Sequence, residues 1–384
     1  MHTERPGADL RTENGNTRAE RRDDRSSGLR LSAAVACLIL MVAGAGFCYP
    51  VLFEGRTFYA FDALQQYLPW SAAAPTGFRP HNPLITDPVN VMYPYFLFFK
   101  ESLGMHTLRY WNDAVLGGLP VLPVLHPTLV IAYLLFSVSV AHDLVLGIHL
   151  LLSGLCMFLF LRRIALGNPA ALLGALAWMF NPYLMVWFEF ENLILMAPSL
   201  PATLYFIECR LHSSRPVYTA GLATALAYGL AVNSAQPMLY QLLFVGVYTG
   251  CRWFQMKKRG IGVKLELSRR RISAVLALVL VLNLGIAVAL AHRSIAAASQ
   301  RRAVEFSELI RRTGGLPAKY LITLMFPDFY GNPTGPLTFT PRLPGAQPYN
   351  NYNELCVYTG IAPLFLAATW SLTLKISLST LTSI

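Results

Sequence analysis

The sequence predicts an all-α polytopic membrane protein of about eight transmembrane helices, with two large extracytoplasmic loops that contain interfacial helices. Three observations carry this. Of 384 residues, 54% are hydrophobic and 13% charged, with a mean hydropathy of +0.45, whereas a soluble domain carries roughly a quarter charged residues. Several apolar runs reach the roughly 20 residues that a helix needs to cross a bilayer. The basic residues also sort between the segments joining those runs in the way the positive-inside rule demands.

Residues 1–30 hold seven Arg and six acids without apolar periodicity, the composition of a disordered cytoplasmic tail. A polar stretch of that length, acids included, before a long apolar run does not read as a cleaved signal. Leu31–Phe53 is therefore expected to be a retained first span of a membrane domain over 31–384. Residues 54–142 form the first outer loop, rich in Pro, Tyr, Trp and Asn. Its Val89–Leu103 and Pro127–Ala141 runs are short or interrupted, as suits interfacial or re-entrant helices. Further spans are expected at Leu144–Leu161, Pro169–Trp187, Leu193–Cys209, Val217–Val232, Pro237–Phe254, Ile272–Ala291 and Cys356–Leu372, with the second outer loop over 292–355.

With the N-terminus in the cytoplasm, the inner segments carry Arg162 and Arg163, Arg210 and Arg215, and the cluster from Arg252 to Arg271. The short outer turns at Phe188–Asn192 and Asn233–Gln236 carry no Lys or Arg. The net charge of +11 is thus an orientation signal, and nucleic-acid binding is not expected. The six cysteines lie in or beside apolar runs, which fits packing better than disulfides or metal ligation. No phosphate-cradling Gly-rich loop, nucleophile elbow or paired-histidine metal helix is present.

Chemistry therefore has to come from outer-side polar residues. Asp62 stands in Tyr59-Ala-Phe-Asp62-Ala-Leu-Gln65-Gln66-Tyr67-Leu-Pro69-Trp70, just past the first span. An unpaired acid near a bilayer is costly, so Asp62 is either a working carboxylate or the cap of a short helix over Ala63–Tyr67. Glu189 and Glu191 stand in Trp187-Phe-Glu189-Phe-Glu191-Asn192. In an extended turn both would share one face; the alternative is an aromatic belt with solvated acids. Trp111-Asn112-Asp113 combines a ring for a sugar face with an amide and an acid for its hydroxyls, although the same residues also make a plain turn. In the second loop, Ser299–Arg312 reads as a basic amphipathic helix that would attract lipid phosphate or simply lie solvated.

Four segments in order along the chain resemble the bacterial YfhO-like membrane proteins. They are Asp62…Gln66…Pro69-Trp70, Trp111-Asn112…Gly117-Gly118-Leu-Pro120, Tyr320-Leu-Ile-Thr-Leu-Met-Phe-Pro327-Asp328-Phe329-Tyr-Gly331, and Asn353-Glu354…Tyr358-Thr-Gly360. The resemblance implies a GT-C-like fold and inverting transfer of a sugar from a polyprenyl-phosphate donor to a cell-envelope glycan or lipid acceptor outside the membrane. It makes Asp62 the catalytic base; the residues themselves offer Gln66, Trp70, Trp111, Asn112, Asp113, Glu189, Glu191 and Asn192 as candidates around the substrate. Positive charge for the leaving phosphate would come from Arg56, Arg301, Arg302 or Lys319. A divalent metal held by Asp62 with Asp113 or Glu189 is compatible but not required. Family members continue through further spans, so the chain is expected to be truncated at its C-terminus. It would sit as a multi-pass protein in the bacterial cytoplasmic membrane, among membrane lipids. The competing reading is a transporter or lipid flippase, for which buried ionisable groups in mid-span are the signature; only Asn283 and Pro182 lie near such depth.

Overall fold

The computed structural model describes residues 31–262 except 108, 114–117, 122–125 and 233, together with 318–334, 352–356 and the single positions 273, 277, 279, 283, 358 and 369. The tail 1–30, most of the second loop 292–355, and nearly all of the expected spans Ile272–Ala291 and Cys356–Leu372 lie outside the described residues. The described residues are mostly helical, with a single pair of two-residue strands.

Helix α1 spans Ala33–Phe47, its start capped by the Ser32 hydroxyl accepting from the Val35 N–H at 3.2 Å. It stops at Cys48, and α2 (Tyr49–Phe53) opens with Pro50 in its first turn. The expected single span Leu31–Phe53 is therefore two helices, because Pro50 cannot donate into the turn before it and is suited to starting a new one. A 3-10 helix at Phe61–Gln66 and another at Trp70–Ala73 follow, then a π turn at Pro88–Met92 that runs into α3 (Tyr93–Gly104). Strands β1 (Trp111–Asn112) and β2 (Leu119–Pro120) pair antiparallel, Trp111 opposite Pro120.

The run expected as one interfacial segment at Pro127–Ala141 is split. Helix α4 (Pro127–Leu135) ends at Phe136, and α5 begins at Val138 and continues to Arg163. Lys100 of α3 closes α4, donating to the carbonyls of Tyr133 at 2.9 Å and Phe136 at 2.7 Å, which leaves positive charge at the negative end of the α4 dipole. After α5 come α6 (Asn168–Met179), α7 (Pro182–Val186), α8 (Glu191–Met196), α9 (Ser199–His212), α10 (Pro216–Ala231) and α11 (Ala235–Lys258). Short helices at Ala318–Leu324 and Tyr352–Leu355 complete the described elements.

Among the described residues, three helical stretches are long and apolar enough to cross a membrane: Val138–Arg163, Asn168–Val186 and Glu191–His212. α5, with 26 residues, is about 39 Å long at the usual helical rise. It is the axis of the structure, packed by α1, α4, α6, α8 and α9. The close approach to α6 needs Gly154, where a Cβ would run into the Met179 side chain. One buried cluster fills the α1–α5–α6 seam around Leu40, Leu146, Leu150 and Met179. Another gathers Tyr59, Phe96, Leu129, Tyr133 and Val145 at the N-terminal end of α5.

The two ends of α5 differ in chemistry. At its C-terminus stand Arg162 and Arg163, near Arg210 of α9 and Arg252 of α11. Glu208 is buried there, its carboxylate accepting from Arg252 Nε at 2.6 Å, Arg252 Nη2 at 3.0 Å and the Tyr248 hydroxyl at 2.7 Å. At its N-terminal end lie His142 and Asp143, and against them the first loop and the turn between α7 and α8.

Candidate functional site

Asp143 locks the first loop onto α5. One of its oxygens, Oδ1, accepts from the Thr57 hydroxyl at 3.1 Å and from the Phe58 N–H at 2.9 Å. This seats Phe58 against Phe47 and Phe188 and lays Tyr59 flat on the His142 ring, centroids 3.8 Å apart. The 3-10 helix carrying Asp62 starts two residues later.

Asp62 does not cap that helix. The capping position belongs to Ala60, and no side chain serves it. The Asp62 carboxylate reaches across the loop and accepts from the His81 N–H at 2.6 Å. Asp62 is half-buried, and Glu189 lies close by. Burial, and secondarily the Asp62 charge, pushes the Glu189 carboxyl up from 4.5 to about 7. Its Oε2 is buried without a hydrogen-bond partner. A carboxyl that keeps its proton toward neutral pH can serve as a proton-bearing partner beside a second acid.

Glu191 does not share a face with Glu189. Trp187–Phe190 is a turn closed by the Phe190 N–H on the Trp187 carbonyl at 3.0 Å, so strand alternation does not apply. Glu191 instead opens α8 and is only 2% exposed. Its Oε1 accepts from the Tyr133 hydroxyl at 2.6 Å and is 2.5 Å from His142 Nδ1. Desolvation first, and Glu191 second, holds the Tyr133 hydroxyl far above its ordinary range, so it stays a donor. Glu191, Asn192 and Tyr95 bring the polar groups to an otherwise apolar cavity of about 260 Å³, walled by Val91, Met92, Phe96, Leu129, Leu195 and Val232. Asn192 is held by its amide, which donates to Ser234 Oγ at 3.1 Å.

The remaining predicted residues are spread more widely. Gln66 folds back on its own turn, Nε2 to the Ala63 carbonyl at 3.4 Å, and Trp70 is half exposed. Asn112 is buried, while Trp111 is exposed and stacked over Gly118, whose φ of +121° and lack of a Cβ let the ring close on it. Asp113 pairs with Arg109 at 3.4 Å, and that guanidinium sits over Phe98. Arg56 pairs with Glu54 at 2.9 Å on the surface. Lys319 lies in the backbone of the Ala318–Leu324 helix, and Arg301 and Arg302 lie outside the described residues. Among the described residues no three His, Cys, Asp or Glu side chains group so as to hold a metal ion; Asp113, engaged by Arg109, does not join Asp62 and Glu189 in such a group.

Sequence reasoning did not single out Tyr59, Tyr133, His142 or Asp143. The available signal was Ala141-His142-Asp143, two ionisable residues inside an apolar run; such residues are retained in that setting when something pairs with them. The chain matches no family model, and no curated protein or solved structure matches it.

Proposed function

We propose that this protein is a GT-C-type membrane glycosyltransferase of the YfhO-like kind. In this reading eight spans and two outer loops sit in the bacterial cytoplasmic membrane, with the N-terminus inside. The enzyme moves a sugar from a polyprenyl-phosphate donor to a cell-envelope glycan or lipid acceptor on the outer face. The observation that carries the proposal is the Asp62–Glu189 carboxyl pair, set at one end of the helical core in a loop that Asp143 pins to α5.

Asp62 takes the proton from the acceptor hydroxyl, whose oxygen bonds to the anomeric carbon as the bond to the lipid phosphate breaks. The lipid phosphate leaves with that electron pair. Glu189, its carboxyl pushed up to about 7 mainly by burial, stands beside Asp62 as a group that holds a proton toward neutral pH. Phe61 and Tyr93, packed edge to face at 5.2 Å, shield one side of Asp62's turn. Trp111 offers a ring and Arg56 a cation at exposed positions.

Asp62→Asn is expected to lower lipid-linked sugar turnover in reconstituted vesicles by about 100-fold or more, the usual loss on removing a general base. Unchanged turnover overturns the assignment. The buried Glu191–His142 pair favours a second reading, a lipid flippase coupled to that pair. Under it, labelled-lipid translocation survives Asp62→Asn and is lost in Glu191→Gln.

A further inference from the structure

We propose that the cavity beside Glu191 is a binding site for a small amphipathic molecule with a hydrogen-bond donor at its head, an alkyl ammonium or alcohol. The proposal stands independently of sugar transfer. Glu191 is 2% exposed, and both of its described hydrogen bonds fall on Oε1. Its other oxygen, Oε2, is buried without a partner, as is Asn192 Oδ1 on the neighbouring residue. Leaving a buried acceptor unsatisfied is costly, more so for a charged group, so a donor delivered there is favoured.

Apart from the Tyr95 hydroxyl, the rest of the wall is hydrocarbon and aromatic. Phe96, Leu129 and Leu195 form its buried side, and all are at most 5% exposed. A cavity of about 260 Å³ exceeds the roughly 150 Å³ that accommodates benzene in an apolar core, so it has room for a head group and a short chain. Val91 lines the cavity while remaining 61% exposed, which marks the side by which a ligand enters. A carboxylate head would lie beside the Glu191 and Asn192 oxygens, neither of which offers it a donor. The site therefore discriminates by the polarity of the head rather than by its size.

The test is binding of n-hexylamine, 1-hexanol and hexanoate to the full chain in lipid nanodiscs, read by calorimetry and by the shift in unfolding temperature. Hexylamine and hexanol are expected to bind at least tenfold more tightly than hexanoate. Glu191→Gln keeps an oxygen for Tyr133 and His142 but turns an amide toward the cavity, so hexylamine is expected to weaken by tenfold or more. Val91→Trp, at an exposed position, closes the entrance and abolishes binding of all three without lowering the ligand-free unfolding temperature, which keeps the test decisive if Glu191→Gln does not fold. Asp62→Asn binds hexylamine as the unaltered protein does. Equal binding of hexylamine and hexanoate, or undiminished binding to Val91→Trp, overturns the proposal.

Discussion

At Glu189 the quantity that matters is its proton. Burial is the larger cause of its raised pKa and the Asp62 charge the smaller. Asp62→Asn should therefore bring the Glu189 titration down, but not to 4.5, as read by the carboxyl C=O band in infrared spectra across a pH series. The stability sign follows from linkage. The folded protein binds this proton more tightly than the unfolded chain, so Glu189's contribution is full below about pH 4.5 and is lost as pH rises through about 7. Glu189→Gln should flatten that decline in the unfolding temperature. At Gly118 the demand is conformational. Its φ of +121° and the Trp111 ring over it both exclude a side chain, and Gly118→Ala should cost about 1–3 kcal/mol and red-shift Trp111 fluorescence as the ring is released into solvent.

Between elements, the strongest polar tie is Glu208 of α9 to Arg252 of α11. Glu208 is fully buried, and both of its oxygens are occupied by Arg252 or Tyr248. Arg252→Ala leaves that buried carboxylate without its guanidinium, with the Tyr248 hydroxyl and His212 as its remaining neighbours, and should cost about 3 kcal/mol, seen as a lowered unfolding temperature in detergent. Replacing both residues by Met should recover most of the loss, because the desolvation penalty disappears with the charges. If the double substitution is no better than Arg252→Ala, the ion pair is not what joins these helices. Asp143 does comparable work between α5 and the first loop, although its partners are one hydroxyl and one N–H rather than a cation.

Among the described residues, the charges around α5 are unevenly shared between its ends, with Glu208 the buried acid at the C-terminal one. Acids gather at its N-terminal end in Asp62, Asp143, Glu189 and Glu191, and cations at its C-terminal end in Arg162, Arg163, Arg210, Arg252, Lys257 and Lys258. In the proposed orientation the acidic end faces outward. With the native cysteines replaced, Thr76→Cys should react with a membrane-impermeant thiol reagent in intact cells, while Lys258→Cys should react only after permeabilisation. The reverse pattern refutes the orientation.

The helical class and three expected spans, Leu144–Leu161, Pro169–Trp187 and Leu193–Cys209, were legible in the sequence because apolar run length and flanking Arg residues act locally and need no partner. Helix ends at Pro50, Pro127 and Pro182 were equally readable in principle, since proline breaks hydrogen bonding within its own turn. Asp62 and the Glu189–Asn192 turn were legible as a shortage of acids near apolar runs. Their partners were not. Asp62 meets the backbone of His81 and lies near Glu189, and Glu191 meets Tyr133 and His142, residues separated by tens of positions that leave no periodic trace. Only the packing of α4 and α8 against α5 decided that Glu189 belongs with Asp62 while Glu191 turns inward, because which way a carboxylate points depends on which buried donor lies within reach of it.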